Sequence, residues 1–385
     1  MIKRIGKWLV FKWVYPVCYK MASCNDINRK KIIFVENHQS ELTDNFILYY
    51  QELKKREYEV HVHYLKISSS GWKDIIRRSI ALIKDMGNAS CIFLNESNSL
   101  FGAFKLRRET KLVQVWHACG AFKKWGYSVA DKSFGDDRKS LEQYSGHYNY
   151  TLVPVSGKEV CWAYEEAFGL EPDSGIVRPL GVSRTDIYFR KEFLDASHEK
   201  LKQMIPFLNN RKVILYIPTF RGEIRTAVSP KELDIARLFD CFHEDYMVLV
   251  KQHPFIRESY VVEEAYSDFC MEIRDEMTTD ELLAVADICI TDYSSVVFDF
   301  SLLEKPILFF AYDLERYYDE RGFYYPYETF VPGPVVKNNC ELIECISKIK
   351  EFDYNKIRDF KERYMSGCDG HATKRILEQV FDGEF

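Results

Sequence analysis

Residues Asp287–Phe300, DICITDYSSVVFDF, decide how the rest of the chain is read. Ile288, Cys289 and Ile290 form an apolar run of strand length. Thr291, Asp292 and Tyr293 make a polar corner, and Ser294 and Ser295 open a second apolar run. That order predicts a buried strand, a tight turn and a helix N-terminus. Backbone N–H groups at such an end lack helical partners and lie at the positive end of the dipole. A phosphate or pyrophosphate is well held there, with serine hydroxyls as further donors. The competing reading is that Ser294 simply N-caps the helix.

Outward from this stretch, apolar runs of strand length alternate with helical patterns. Candidate strands are Ile32–Val35, Val60–Leu65, Cys91–Leu94, Leu112–Trp116 and Leu152–Val155, then Val213–Ile217, Met247–Val250, Ile288–Thr291 and Ile307–Phe310. Candidate helices include Leu42–Arg56, Gly157–Phe168, Pro230–Phe242 and Thr279–Ala286. Such alternation predicts an α/β protein with parallel sheets covered by helices. The chain of 385 residues exceeds one ordinary core. The polar Arg184–Arg211 region separates two strand series, predicting two doubly wound, Rossmann-like domains over 25–185 and 186–385. The charged tail Tyr354–Phe385 is helical in pattern and is expected to pack back across the domains.

A hydrophobic content of 46% with 29% charged residues describes a globular chain. A net charge of −5 provides no domain-wide basic field, so nucleic acid is not an expected partner. The 11 cysteines form no CxxC pair, and their odd count fits reduced thiols in a cytosolic protein. Neither a zinc site nor any other cofactor is expected. Residues 1–24 differ from the average: Lys3, Arg4, Lys7, Lys12 and Lys20 alternate with Trp8, Leu9, Phe11, Trp13 and Tyr15, without an acid. The run is too short and interrupted to span a bilayer and lacks a signal-peptide cleavage site. It suits a segment lying on an anionic membrane surface, or else a helix docked on the protein's own core.

In doubly wound folds ligands gather beyond the carboxyl ends of the strands. His117 follows the Leu112–Trp116 run, with Lys123 and Lys124 close behind; Arg221 follows Val213–Ile217; Lys251 and His253 follow Met247–Val250. A neutral histidine can take a proton from an attacking hydroxyl, and a protonated one can stabilise phosphate oxygens. Arginine and lysine supply donors for a diphosphate. Taken singly, each has an ordinary structural reading as a hydrogen-bonding histidine or a solvated cation. Walker A, GxGxxG, HExxH, EF-hand and GxSxG patterns are absent from the sequence, as is a DxD-type metal motif. A metal requirement is therefore not implied.

Together these strand ends resemble the CDP-glycerol glycerophosphotransferase family of teichoic acid synthesis. The resemblance is carried by Gln114-Val-Trp-His117 with Gly120-Ala-Phe-Lys-Lys124, Tyr216-Ile-Pro-Thr-Phe-Arg221, Lys251-Gln-His-Pro254 and Thr291-Asp-Tyr-Ser-Ser-Val296 with Asp299. Lys305-Pro306, Tyr312-Asp313, Arg321-Gly322-Phe323 and Pro332-Gly-Pro334 continue it. It implies a GT-B-like architecture with an acceptor domain, a CDP-donor domain and an active-site cleft between them. It implies transfer of glycerol phosphate from CDP-glycerol to a hydroxyl of an undecaprenyl-diphosphate-linked saccharide, releasing CMP, at the cytoplasmic face of the membrane. By the same resemblance His117 is the base and His253 contacts the transferring phosphate. Arg221, Lys251, Thr291, Asp292, Ser294, Ser295 and Asp299 line the donor side, and Trp116, Lys123 and Lys124 the acceptor side. Polymerases of the family tend to carry a Trp-His-Gly-Thr-Pro sequence, whereas this chain reads Trp116-His-Ala-Cys-Gly-Ala-Phe-Lys-Lys124. That departure points to the priming step. CDP-ribitol or another CDP-polyol, polymer elongation, and sugar transfer on the same fold remain alternatives.

Overall fold

A computed structural model describes residues 2–132, 135, 137–222, 226–383 and 385. The chain divides into two compact units. The first comprises Met1–Ala118, Trp125–Asp186 and Ser366–Phe385, and the second Cys119–Lys124 and Ile187–Met365. Two segments thus depart from the linear domains read from the sequence: 119–124 belongs to the second unit and 366–385 to the first.

The first unit is built on a parallel sheet in the order β2-β1-β3-β4, with β1 Asn28–Glu36, β2 Glu59–Tyr64, β3 Ala89–Leu94 and β4 Lys111–Gln114. Ile32, Ile33, Phe34 and Val35 are all buried, so both faces of the central strand are covered, as an unbroken apolar run demands. On one face Ile32, Phe34, Phe93 and Val113 pack with Phe46, Tyr49 and Leu53 of the helix Asp44–Lys55. Ile376, Leu377 and Val380 of the C-terminal helix Ala372–Val380 join the same cluster. Asp186 fixes that helix by accepting from the backbone N–H groups of Ala372 at 2.9 Å and Thr373 at 2.8 Å. Gly181 has φ +90°, and a Cβ there would lie 2.0 Å from the Gly367 carbonyl oxygen, so the two chain segments cross at contact distance. A short parallel pair, β5 Val153–Pro154 and β6 Val177–Arg178, completes the unit.

The N-terminal segment is helical from Ile2 to Ala22, with a π-helical turn over Val10–Val14. That turn falls just ahead of Pro16, whose ring nitrogen has no hydrogen to donate back along the helix. One side is docked on the unit: Tyr15 and Tyr19 are buried, Tyr19 stacks on Phe104 at 4.5 Å, and its hydroxyl accepts from Arg107 N. Trp8, Trp13, Val17 and Met21 remain exposed, Trp13 by 62% and Met21 by 71%. Among the described residues no helix is long and apolar enough to cross a membrane.

The second unit holds a six-stranded parallel sheet in the order β12-β11-β10-β7-β8-β9. Its strands are β7 Lys212–Tyr216, β8 Tyr246–Val250, β9 Cys270–Glu272, β10 Ile288–Thr291, β11 Ile307–Phe310 and β12 Val335–Val336. Successive residues along β7, β8, β10 and β11 are buried alike, so this sheet too is covered on both faces. One face packs on Leu238 and Phe242 from the helix Ile235–Phe242 and on Leu342 and Ile346 from Asn339–Ser347. The first of those helices starts later than its apolar pattern, because the Asp234 side chain accepts from Arg237 N and caps it there. The short β6, β9 and β12 are strands that the sequence reading did not mark. Strand order runs outward in both directions from the β7–β10 pair, making this the switch point of the sheet.

Candidate active site

His117 lies beyond β4 in the first unit. The strand stops at Gln114, and Trp116 turns the chain with φ +57°, a conformation costly for a bulky aromatic residue. Stacking compensates: Trp116 lies against Phe168 at 5.1 Å and Trp125 at 6.0 Å, and its backbone N–H donates to Gln114 Oε1. Trp116 thus sits beside His117, their rings 4.4 Å apart, as a stacked, half-buried support. His117 is exposed to solvent, and its Nδ1 lies 3.1 Å from the Asn95 carbonyl oxygen. A carbonyl only accepts, so the neutral ring carries its proton on Nδ1 and presents a lone pair on Nε2. Crowding by surrounding protein lowers the His117 pKa below the ordinary histidine value. Arg184 adds to that shift, while the Asn95 bond and Glu96 oppose it. The result is an imidazole that is neutral near neutral pH, as a general base requires. A third histidine, His147, stacks on Phe168 at 4.3 Å, and burial lowers its pKa to about 4.

In the second unit the β7 and β10 ends meet through Asp292. Its Oδ1 accepts from Thr219 N at 2.8 Å, Thr219 Oγ1 at 3.0 Å and Tyr293 N at 2.6 Å. Its Oδ2 lies 2.9 Å from Arg221 Nη1. Arg221 also grips Asp313, donating from Nε at 2.6 Å and from Nη2 at 3.0 Å. Its guanidinium sits over the rings of Tyr293, Tyr312 and Tyr317 at 5.2, 5.4 and 5.4 Å. Most of the Arg221 hydrogens therefore go to protein groups, and Asp292, 2% exposed, is the hub that joins the two strand ends. Thr291, fully buried, donates its hydroxyl to Ile217 O at 2.7 Å.

The serine corner leads into the short helix Val296–Ser301, preceded by Ser295. Ser295 makes no capping bond with its side chain, and Ser294 Oγ accepts from Val296 N only at 3.4 Å. Both serines are half-buried. Asp299, one turn on, accepts from the Cys119 thiol at 3.3 Å. Lys251 turns elsewhere: its ammonium donates to the carbonyls of Arg274 and Met277, the latter at 3.0 Å. His253 Nδ1 accepts from Phe255 N at 3.2 Å, which places the proton of the neutral ring on Nε2. His117 and His253 therefore hold opposite tautomers.

Lys123 and Lys124, read as acceptor-side, belong to the second unit. Lys123 pairs with Phe323 in an antiparallel bridge, and Tyr324 N donates to Phe122 O at 2.9 Å. Phe122 lies among Phe323, Tyr327 and Phe330. Gly120, with φ +62°, passes so close to Phe298 that a Cβ would lie 2.1 Å from its ring. These contacts, invisible in sequence, tie the segment after His117 to the second unit. Sequence reasoning also missed Asn95 and gave Asp313 no role, although each follows a strand and the strand-end rule applied there would have found both. Among the described residues no group of three or more His, Cys, Asp or Glu side chains is arranged to hold a metal ion.

Comparisons with known proteins identify relatives along nearly the whole chain. The teichoic acid ribitol-phosphate primase of Bacillus spizizenii is 34% identical, with 96% of each chain covered. The teichoic acid poly(ribitol-phosphate) polymerase of the same organism is 35% identical over 95% of this chain, which spans only 58% of that protein. Among solved structures, the wall teichoic acid polymerase TagF superposes with a TM-score of 0.75 at 21% identity, covering 95% of this chain and 92% of that one. That likeness shows a shared α/β fold. A family model described as CDP-glycerol:poly(glycerophosphate) glycerophosphotransferase matches residues 17–382, and the chain belongs to that family.

Proposed function

We propose that this protein transfers a polyol phosphate from a CDP-activated polyol to a hydroxyl of a lipid-linked saccharide, releasing CMP, as the priming step of a teichoic acid. The carrying observation is the pair of strand-end histidines fixed in opposite tautomers. His117 accepts the proton of the attacking hydroxyl on Nε2. The new oxygen–phosphorus bond forms at the polyol-bearing phosphorus as its bond to the bridging oxygen breaks, and CMP departs with that oxygen. His253, with its proton on Nε2, donates to the phosphate oxygens as charge develops there. The diphosphate lies at the β7–β10 switch point, against Ser294 and Ser295. Arg221 and Asp292 shape that crevice, and their positive and negative charges are largely matched to one another.

Glycerol is the polyol expected from the sequence. Ribitol is the second reading, favoured by the end-to-end match to a ribitol-phosphate primase. Parallel reactions with CDP-glycerol and CDP-ribitol, a synthetic lipid-linked disaccharide and mass analysis of the product decide between them. One donor is expected to yield a single added polyol phosphate with equimolar CMP. Sugar transfer without phosphate would refute the proposal. The exposed Trp8, Trp13 and Met21, flanked by Lys7, Lys12 and Lys20, support docking on an anionic membrane surface, where such an acceptor resides.

A further inference from the structure

The sheet of the first unit changes direction between β1 and β3. The carboxyl ends of those strands carry a polar cluster outside the residues assigned above. Glu36, the last residue of β1, is 1% exposed, and Asn95, directly after β3, is 3% exposed. Asn95 Nδ2 donates to Glu36 Oε2 at 2.9 Å and to Thr43 Oγ1 at 3.1 Å. Thr43 gives its backbone N–H and its hydroxyl to Glu36 Oε1 at 2.7 and 2.8 Å. Among the described residues no cation pairs with Glu36. A buried carboxylate held by neutral donors alone is costly, and an amide or apolar side chain would avoid that cost. Asn95 Oδ1 is buried without a hydrogen-bond partner among the described residues. The orientation of the amide is therefore dictated by Glu36 and Thr43, at the expense of its own oxygen. The backbone carbonyl of this clamped residue is the one that receives His117 Nδ1.

We infer that Glu36 is a positioning residue for His117: by clamping Asn95 it holds the carbonyl that keeps the His117 proton on Nδ1 and the lone pair on Nε2. The inference rests on His117 acting as the base. Should the carbonyl drift, the ring can rotate or adopt the other tautomer, in which Nε2 carries hydrogen and cannot accept a proton. Small displacements of a base carry large rate penalties. Three strand ends converge here, β1 through Glu36, β3 through Asn95 and β4 through His117, so the clamp belongs to the rigid part of the unit. The charged groups acting on His117 are Glu96 and Arg184, and Glu96 itself lies 3.3 Å from His38. None of these is altered by Glu36→Gln, which keeps the side-chain shape but turns an amide NH2 towards Asn95 Nδ2.

The test uses the full chain as wild type, Glu36→Gln, the pair Glu36→Gln with Asn95→Asp, and His117→Ala. Each is assayed for CMP release from CDP-glycerol and CDP-ribitol with the lipid-linked disaccharide across the histidine titration range. Nitrogen NMR of ring-labelled histidine reports the His117 tautomer. Glu36→Gln is expected to lower kcat by about tenfold or more, to leave KM for the CDP donor unchanged, and to give mixed tautomers. The paired variant exchanges donor and acceptor and is expected to recover most of the rate and the single tautomer. Wild-type kcat and an unchanged tautomer in a folded Glu36→Gln protein would overturn the inference. Should that variant not fold, Thr43→Val, which removes only the bridging hydroxyl, is read in the same way. If His117→Ala kept its turnover, the reading of His117 as base would fall, while the NMR comparison would still decide whether Glu36 sets the ring.

Discussion

His117 shows how the surroundings of one ring select a single state of it. A carbonyl fixes its tautomer, a stacked tryptophan limits its rotation, and the surrounding protein disfavours its charged form. The pH consequence has a definite sign. In its proposed role as base the ring must be neutral, and a lowered pKa keeps it neutral to lower pH, so kcat should rise with pH through a midpoint below about 6.5, the ordinary histidine value, and then level off. A pH–rate profile of CMP release checks this, and a midpoint at or above the ordinary value would contradict it. The strand-end positions of both histidines were legible, because His117 follows the Leu112–Trp116 run and His253 comes three residues after Met247–Val250. Their tautomers were not, since they depend on the Asn95 carbonyl and the Phe255 N–H, which only the folded chain brings to the rings. Arg221 was legible as a cation at a strand end, but not its pairing with Asp313, 92 residues further on. Lys251 carried the same signal, yet its ammonium caps the carbonyls of Arg274 and Met277.

Among the elements, the parallel strands were the easiest to read, because burial on both faces leaves unbroken apolar runs such as Ile32–Val35 and Ile307–Phe310. The two- and three-residue strands β6, β9 and β12 leave no such pattern, being defined by a neighbour's edge. The loop 119–124 was also beyond sequence, since its place depends on Gly120 and Phe122 reaching an aromatic cluster. Gly120→Ala combines a side chain at φ +62° with a Cβ 2.1 Å from the Phe298 ring. It should destabilise the fold by about 2–4 kcal/mol, the sum of backbone strain and overpacking, read as a lowered urea midpoint. An unchanged midpoint would mean that the loop is not held this way. The N-terminal helix is docked on its unit along Tyr15 and Tyr19, as the second expectation had it, and leaves Trp8 and Trp13 exposed on the other side. Trp8→Ser with Trp13→Ser should weaken flotation with anionic vesicles by about tenfold or more, from roughly 1.5–3 kcal/mol of lost burial per large apolar side chain, with no change in thermal stability. Equal flotation of variant and wild type would exclude this face as the docking site.

At the scale of the molecule, two doubly wound units each gather their polar chemistry at the carboxyl ends of their strands, and each has a bridge across its switch point. In the first unit the bridge is Glu36–Asn95, in the second Asp292–Thr219. The family was legible because its motifs occupy those ends in order along the chain. The assignment of 119–124 to the second unit was not, because it follows from packing at Phe122; the return of the tail was expected, and the Asp186 cap on the C-terminal helix fixes it in the first unit. Transfer of a polyol phosphate through His117 is most directly tested by CMP release and product mass for wild type and His117→Ala, with a CDP-polyol and the lipid-linked disaccharide. The wild type is predicted to add one polyol phosphate per CMP released, and His117→Ala to lose about 100- to 10,000-fold in kcat. A His117→Ala protein with near wild-type turnover, or a product that gains sugar without phosphorus, would contradict it.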